Sequence, residues 1–403
     1  RKGSKGLFLT GLLPRVRKRL KKKIYIEGTE EVYPIQNLPK LPGITFREDQ
    51  KRALRAVRRR NRGKIVFPTG SGKTVIAGGI VAMFSRSRIV FLCHTSDLVS
   101  QTREEFIKWF GKKRVYAIGG GYKDNIHKVM KAKAPVLIAT VQSYIKLPQK
   151  KLSTFWDVTI VDEVHHVNSK ESMYGSIMER NLCPRRYGLT ATVPSKRVQL
   201  LTNEGYFGPK IAELSVQEGV KLGIIAKPRI DLIPVPYDVA LNQKCSTYQD
   251  YYEKGIVENR KRNKLICRTV KKKEITLIVI ERTEHGKLLQ KMLKLKGYKA
   301  PFVYGGTKRE VRERVKNKLK SGKLRLAICS RVWKEGINIP ALNHIVNACG
   351  TKEEKAVLQA VGRGLRTAEG KDIIRVTDFL DPYKHLAGHS VQRVGVYVNQ
   401  GWL

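Results

Sequence analysis

The chain has 403 residues, 41% of them hydrophobic, which is enough for two or three domains with apolar cores. Lys and Arg number 80 against 34 Asp and Glu, a net charge of +46. Self-repulsion on that scale excludes an ordinary neutral-surfaced enzyme and points to a polyanionic partner, nucleic acid first, because each neutralised phosphate releases counterions.

Residues 1–44 form a basic accessory segment. Its first 23 residues carry ten basic side chains and no acid, interleaved with Leu7, Leu9, Leu12, Leu13, Val16 and Leu20. Pro34, Pro39 and Pro42 then mark a linker. The chain opens on Arg1 rather than Met, so further residues are expected before it.

Residues 45–210 alternate apolar runs with helical patterns. Runs at 64–67, 88–93, 136–139, 158–161 and 187–190 read as strands, and 97–110 and 170–180 as helices. Such alternation predicts a parallel sheet covered by helices. After the first run comes Phe67-Pro-Thr-Gly-Ser-Gly-Lys-Thr74. Gly70 and Gly72 let the loop bend so that its N–H groups, with Thr69 and Ser71, face phosphate oxygens. Lys73 then reaches the β and γ phosphates, and the Thr74 hydroxyl serves Mg2+. The strict pattern has glycine where Phe67 stands.

The run at 158–161 leads into Asp162-Glu-Val-His-His166. A strand end is where an α/β sheet presents side chains to a ligand. Asp162 is the expected Mg2+ ligand, and Glu163 the base that takes a proton from the attacking water. Adjacent acids alone are common on solvated surfaces; the phosphate loop upstream makes this pair specific. His165 reads as a polar link to Thr190-Ala-Thr192, whose hydroxyls end another strand and relay the state of the phosphate site.

Residues 211–268 are less regular, with Pro228, Pro234 and Pro236, and read as a connector. Residues 269–403 resume the alternation, with strands expected at 275–280, 325–329, 344–347 and 373–377 and helices at 284–295, 307–319 and 352–361. Gly336-Ile-Asn338-Ile-Pro340 forms a rigid loop. In Gln359-Ala-Val-Gly-Arg-Gly-Leu-Arg366, Arg363 and Arg366 share a helix face and suit a developing negative charge on phosphate. Two α/β lobes therefore flank a linker. None of the six cysteines pairs at a CxxC spacing, and several sit in apolar runs, as buried thiols of a reducing compartment do. No apolar run approaches the roughly 18 residues of a membrane span and no secretory leader pattern is present. The expected setting is cytoplasmic, or host cytoplasm for a viral chain, with no membrane partner.

Over about residues 45–380 these strings together resemble the superfamily 2 helicases of the DExH kind. The phosphate loop resembles their motif I and Asp162-Glu-Val-His165 their motif II, with Val164 where alanine is commoner. Thr190 and Thr192 resemble motif III, with Thr192 where serine is commoner. Leu98 and Gln101 resemble motif Ia, and Thr140, Gln142 and Ser143 the following strand-contact motif. Arg47 and Gln50 resemble the adenine-side motif. Gly336, Asn338 and Pro340 resemble motif V, with Asn338 where aspartate is usual. Gln359, Gly362, Arg363 and Arg366 resemble motif VI. The texture of Ser215-Val-Gln-Glu-Gly-Val-Lys-Leu-Gly223 is similar to phage branch-migration DNA helicases of the UvsW type.

The resemblance implies an α/β chain of two tandem RecA-like parallel-sheet lobes, with a small basic N-terminal module. It implies ATP and Mg2+ between the lobes and DNA across them, with nucleic-acid contacts from Leu98, Gln101, Thr140, Gln142 and Ser143. The expected activity is ATP-fuelled remodelling of forks or Holliday junctions, and a monomer is compatible with it. An RNA helicase uses the same lobes, as does the translocase subunit of a restriction system. A passive packaging protein explains the charge but not the order of the motifs.

Overall fold

The computed structural model describes residues 8–20, 38–167, 169–191, 194, 196–330, 339, 341–351 and 373–403. They form two compact units that part between Ser215 and Val216, except that Thr69–Ser71 group with the second.

The first unit is built on an eight-stranded sheet. Its strands are β1 (Arg62–Val66), β2 (Ile89–Cys93), β3 (Val115–Gly119), β4 (Tyr122–Lys123), β5 (Val136–Thr140), β6 (Val158–Asp162), β7 (Arg185–Thr190) and β8 (Lys210–Glu213). Their order is β4-β3-β5-β2-β6-β7-β1-β8, and every pairing but β3 with β4 is parallel. β2 and β5 are buried at every position because helices cover both sheet faces, so they read as unbroken Ile-Val-Phe-Leu-Cys and Val-Leu-Ile-Ala-Thr rather than alternating. The helices begin where caps are available. The Thr95 side chain accepts from the Leu98 N–H ahead of helix Ser96–Phe110, and the Ser172 side chain from the Gly175 N–H ahead of helix Met173–Arg180.

The described part of the N-terminal segment is not a free arm. Thr10–Leu12 forms a 3-10 turn that runs into helix Leu13–Leu20. The turn packs against helix Arg197–Phe207 so closely that a Cβ at Gly11 would overlap the carbonyl oxygens of Glu204 and Gly205. Arg15 closes the contact by donating from Nε and Nη2 to the two Glu204 oxygens, at 2.6 and 2.9 Å. Arg17, Lys18 and Arg19 on the same helix are exposed.

The second unit has a six-stranded, all-parallel sheet. Its strands are β9 (Lys227–Pro234), β10 (Thr276–Val279), β11 (Phe302–Val303), β12 (Leu326–Cys329), β13 (His344–Asn347) and β14 (Ile373–Leu380), in the order β11-β12-β10-β13-β14-β9. β9 comes from the stretch read as a connector. Its Pro228 and Pro234 are tolerated because β9 is an edge strand, with only one side committed to a neighbour.

Buried ion pairs lie inside this unit. Arg262 and Asp381 are fully buried, with Nε 2.7 Å from Oδ1, and Arg393 meets Asp378 at 3.0 Å with both about as deeply buried. Tyr397 Oη and Asn347 Nδ2 complete the shell of Asp378 by donating to Oδ2, at 2.7 and 3.1 Å. Two imidazoles are also buried. His285 Nε2 is 2.8 Å from Asn263 Oδ1, and His344 Nε2 is 2.8 Å from Thr377 Oγ1. All six cysteines are free and buried. No helix among the described residues is long and apolar enough to cross a membrane.

Candidate nucleotide and nucleic-acid site

The chemistry-bearing residues of the first unit gather at the carboxyl ends of its central strands. Val66 of β1 is level with Thr190 of β7, and Asp162 of β6 with Leu189. The Phe67 N–H donates to the Thr190 carbonyl at 2.9 Å, which ties the start of the phosphate loop to β7. The Phe67 side chain is completely buried, so the position where the strict motif has glycine serves here as a core plug.

Gly70 and Gly72 adopt φ of 89° and 87°, a region that side chains avoid. Gly72 is also pressed against Gln50, whose Nε2 would lie 2.7 Å from an added Cβ. The structure thereby brings Gln50, on helix Glu48–Arg58, to the loop, while Arg47 stands at the N-cap of that helix and pairs with Asp49 at 2.8 Å. Lys73 opens helix Lys73–Met83, whose first N–H groups have no side-chain cap and so face an anion well. Its Nζ donates to the Phe67 carbonyl at 3.2 Å and the Pro68 carbonyl at 3.4 Å, inside the loop. Thr74 follows on that first turn.

Asp162 ends β6, and its Oδ1 accepts the Glu163 N–H at 2.9 Å. Burial, then the adjacent Glu163 charge, pushes the Asp162 carboxyl up to about 7, against the opposing pull of Lys73 and His166. A carboxylate raised in this way and a threonine hydroxyl are hard-oxygen donors of the kind Mg2+ takes, and a divalent charge there would restore the ionised form. Glu163 itself is left-handed at φ 50° and ψ 49°, a conformation that costs a non-glycine residue energy and persists where the surroundings impose it. His165 is buried. Its Nδ1 is 3.3 Å from Glu163 Oε2 and 3.0 Å from Thr190 Oγ1, which puts the expected polar link in place.

Leu98, Gln101, Thr140, Gln142 and Ser143 come together at the ends of β2 and β5. Leu98 and Gln101 lie on helix Ser96–Phe110, and Thr140 caps helix Val141–Tyr144 by accepting the Ser143 N–H at 3.2 Å. The Thr140 and Ser143 hydroxyls bond each other at 2.9 Å. Gly119, Gly120 and Gly121, all with positive φ, turn the chain after β3 against these residues, and a Cβ at Gly119 would strike both hydroxyls. That glycine run was a legible turn signal with no assigned role. Thr192, Gly336, Asn338, Gln359, Arg363 and Arg366 lie outside the described residues.

Two features escaped the sequence reading. His94, His166 and Tyr174 stack in parallel, with His94 and His166 centroids 4.5 Å apart and His166 and Tyr174 centroids 6.0 Å apart. Asn203 is fully buried against the turn that follows Glu163. Neither has a local pattern, because the partners are distant in sequence.

Residues 43–195 match the family described as type III restriction enzyme, res subunit, and residues 260–368 match the helicase conserved C-terminal domain. The ATP-dependent DNA helicase uvsW of enterobacteria phage T4 is 28% identical over 335 residues, 80% of this chain; the chain spans 66% of that relative's length. Among solved structures, the ATP-dependent type ISP restriction-modification enzyme LlaBIII bound to DNA superposes with a TM-score of 0.68 at 16% identity, covering 88% of this chain and 30% of that one. Saccharomyces cerevisiae Dbp5 bound to RNA and ADP BeF3 superposes with a TM-score of 0.60 at 17% identity over 88% of each chain. At these identities the structural matches speak to the fold alone, tandem RecA-like lobes.

Proposed function

The chain belongs to the superfamily 2 helicases and is an ATP-hydrolysing enzyme, and from that premise we propose that it translocates on duplex DNA and remodels branched junctions. The observation that carries the ATPase part is the convergence of Lys73, Asp162, Glu163, His165 and Thr190 on adjacent strand ends. The open amides of Gly72 and the first turn of its helix cradle phosphate, and Lys73 leaves the Phe67 and Pro68 carbonyls for phosphate oxygens. Thr74 and Asp162 would hold Mg2+, which would supply charge neutralisation on the phosphates.

Glu163 orients the attacking water and accepts its proton. Through His165, which lies 3.3 Å from Glu163 Oε2 and hydrogen-bonds Thr190, its state reaches the strand that anchors the phosphate loop, so hydrolysis and backbone movement share one polar path. Arg363 and Arg366, with Gln359, stabilise the transferring phosphoryl charge. Gly336 and Asn338 take the motif V role, and Arg47 and Gln50 read the base.

DNA lies over Leu98, Gln101, Thr140, Gln142 and Ser143. Contacts of this kind go to the sugar-phosphate backbone, so recognition is by shape and charge, in keeping with the +46 balance. The branched substrate is supported by the similarity to the phage helicase and by the exposed Arg17, Lys18 and Arg19, which suit a second duplex arm.

The test is ATP turnover and strand separation on matched fork, four-way junction, linear duplex and RNA substrates. Fork and junction should stimulate turnover and be unwound ahead of linear duplex. Stimulation by RNA equal to that by DNA would move the reading to an RNA helicase.

A further inference from the structure

Helix Arg197–Phe207 lies between the N-terminal segment and the turn that follows Glu163, and it is fitted to both. Toward the turn it presents Asn203, fully buried, whose Nδ2 donates to the Val164 carbonyl at 2.6 Å and the Val167 carbonyl at 3.4 Å. Those carbonyls bracket His165 and His166. The turn itself is closed by two backbone hydrogen bonds, His166 N–H to the Glu163 carbonyl and Val167 N–H to the Val164 carbonyl, both 3.0 Å. Something outside the turn must therefore help impose the left-handed backbone of Glu163.

Among the described residues, no donor meets Asn203 Oδ1. A leucine of similar volume would avoid that orphaned acceptor, so the amide is better explained by what its nitrogen holds than by stability. The neighbouring residue along the helix, Glu204, is the one gripped by Arg15, and Gly205 gives room to Leu9.

We propose that Asn203 is a positioning residue for Glu163, and that the docked segment 8–20 holds the Asn203 helix in register against the catalytic turn. This rests on the ATPase reading above and adds to it. The basic N-terminal segment, whose outer side suits DNA, has an inner side that belongs to the hydrolysis machinery. A base displaced by a fraction of an ångström loses rate, while the loop that binds ATP through Lys73 is untouched. The signature is therefore a fall in kcat with KM for ATP preserved.

The experiment measures DNA-stimulated ATP turnover and thermal melting of the full chain with Asn203→Leu, Gly11→Ala and Glu163→Gln. Asn203→Leu should lower kcat about 10- to 100-fold with KM for ATP within about twofold of the original. Gly11→Ala, whose added Cβ must lift the segment off the helix, should lower kcat several-fold with the same unchanged KM. An undiminished kcat in a folded Asn203→Leu protein, or a raised KM in place of the lowered kcat, overturns the proposal. If Asn203→Leu does not fold, Gly11→Ala decides, and its undiminished kcat overturns the proposal equally. Glu163→Gln separates the two failures. If it turns over normally the ATPase assignment falls and the proposal with it; if it is inactive while Asn203→Leu is normal, only the positioning role falls.

Discussion

The two units bury charge in opposite ways. In the second, Asp381 and Asp378 are each matched by a buried arginine, and Asp378 has a tyrosine and an asparagine as well. In the first, Asp162 is half-buried at the end of β6, accepts the Glu163 N–H, and has beside it an adjacent acid and the more distant charges of Lys73 and His166. A carboxylate that the fold has already satisfied is scaffold. One left short of positive charge is prepared for a ligand that brings it. The imidazoles differ as well: His165 of the first unit lies between Glu163 and Thr190, whereas His285 and His344 of the second are buried against Asn263 and Thr377.

Substitution at the two kinds of site should give inverse results. Glu163→Gln, in the first unit, should lower DNA-stimulated ATP turnover by about 10²- to 10⁴-fold, while the melting temperature stays within a few degrees. Phosphate release and a circular-dichroism melt on the same preparation check both halves. Asp381→Asn, in the second unit, leaves Arg262 buried without its counter-charge and should destabilise by about 3–5 kcal/mol, read as a lower urea midpoint. Its turnover, assayed well below the transition, should stay near the original. A catalytic defect in Asp381→Asn larger than its stability defect would break the division between scaffold and site.

Acid should sharpen the contrast more gently. Burial, ahead of the nearby Arg262 charge, pulls His285 down to about 3, and burial, ahead of Arg375, does the same to His344. An unfolded histidine titrates near 6.5, so between about pH 6.5 and 3 the unfolded chain binds protons that the folded unit refuses. The stability these residues contribute is complete above about 6.5 and is lost as the pH falls. Asp162 has the opposite sign. Its raised value makes the folded state the better proton binder between about 4 and 7, so acidification in that window favours the first unit. Amide exchange at about pH 7 and about pH 5 should therefore show β10 and β13 losing protection before β2 and β5 do. Earlier opening of β2 and β5 would refute the assignment of these shifts.

The sequence made legible what depends on neighbours along the chain. The central strands read as apolar runs because both sheet faces are covered, and the phosphate loop reads as spaced glycines because its turns need positive φ. β9 was hidden by Pro228 and Pro234, which argue against a strand unless the edge position is known. β11 has two residues, too few to carry a period. Asn203 and the His94–His166–Tyr174 stack were illegible for a different reason. Each side chain gains its meaning from an element far along the chain, and Asn203 taken alone reads as an ordinary polar residue of a surface helix.

The edge pairing of β9 bears on how the chain is made. Lys227 of β9 lies beside Ile373 of β14, so one rim of the second sheet is synthesised long before its neighbour exists. On a ribosome the first sheet has all its strands once Glu213 has emerged, but β9 must wait, unpaired, until β14 follows. Birth of the protein is thus staggered: one half complete early, and a companion whose β9–β14 seam closes only once β14 has been made.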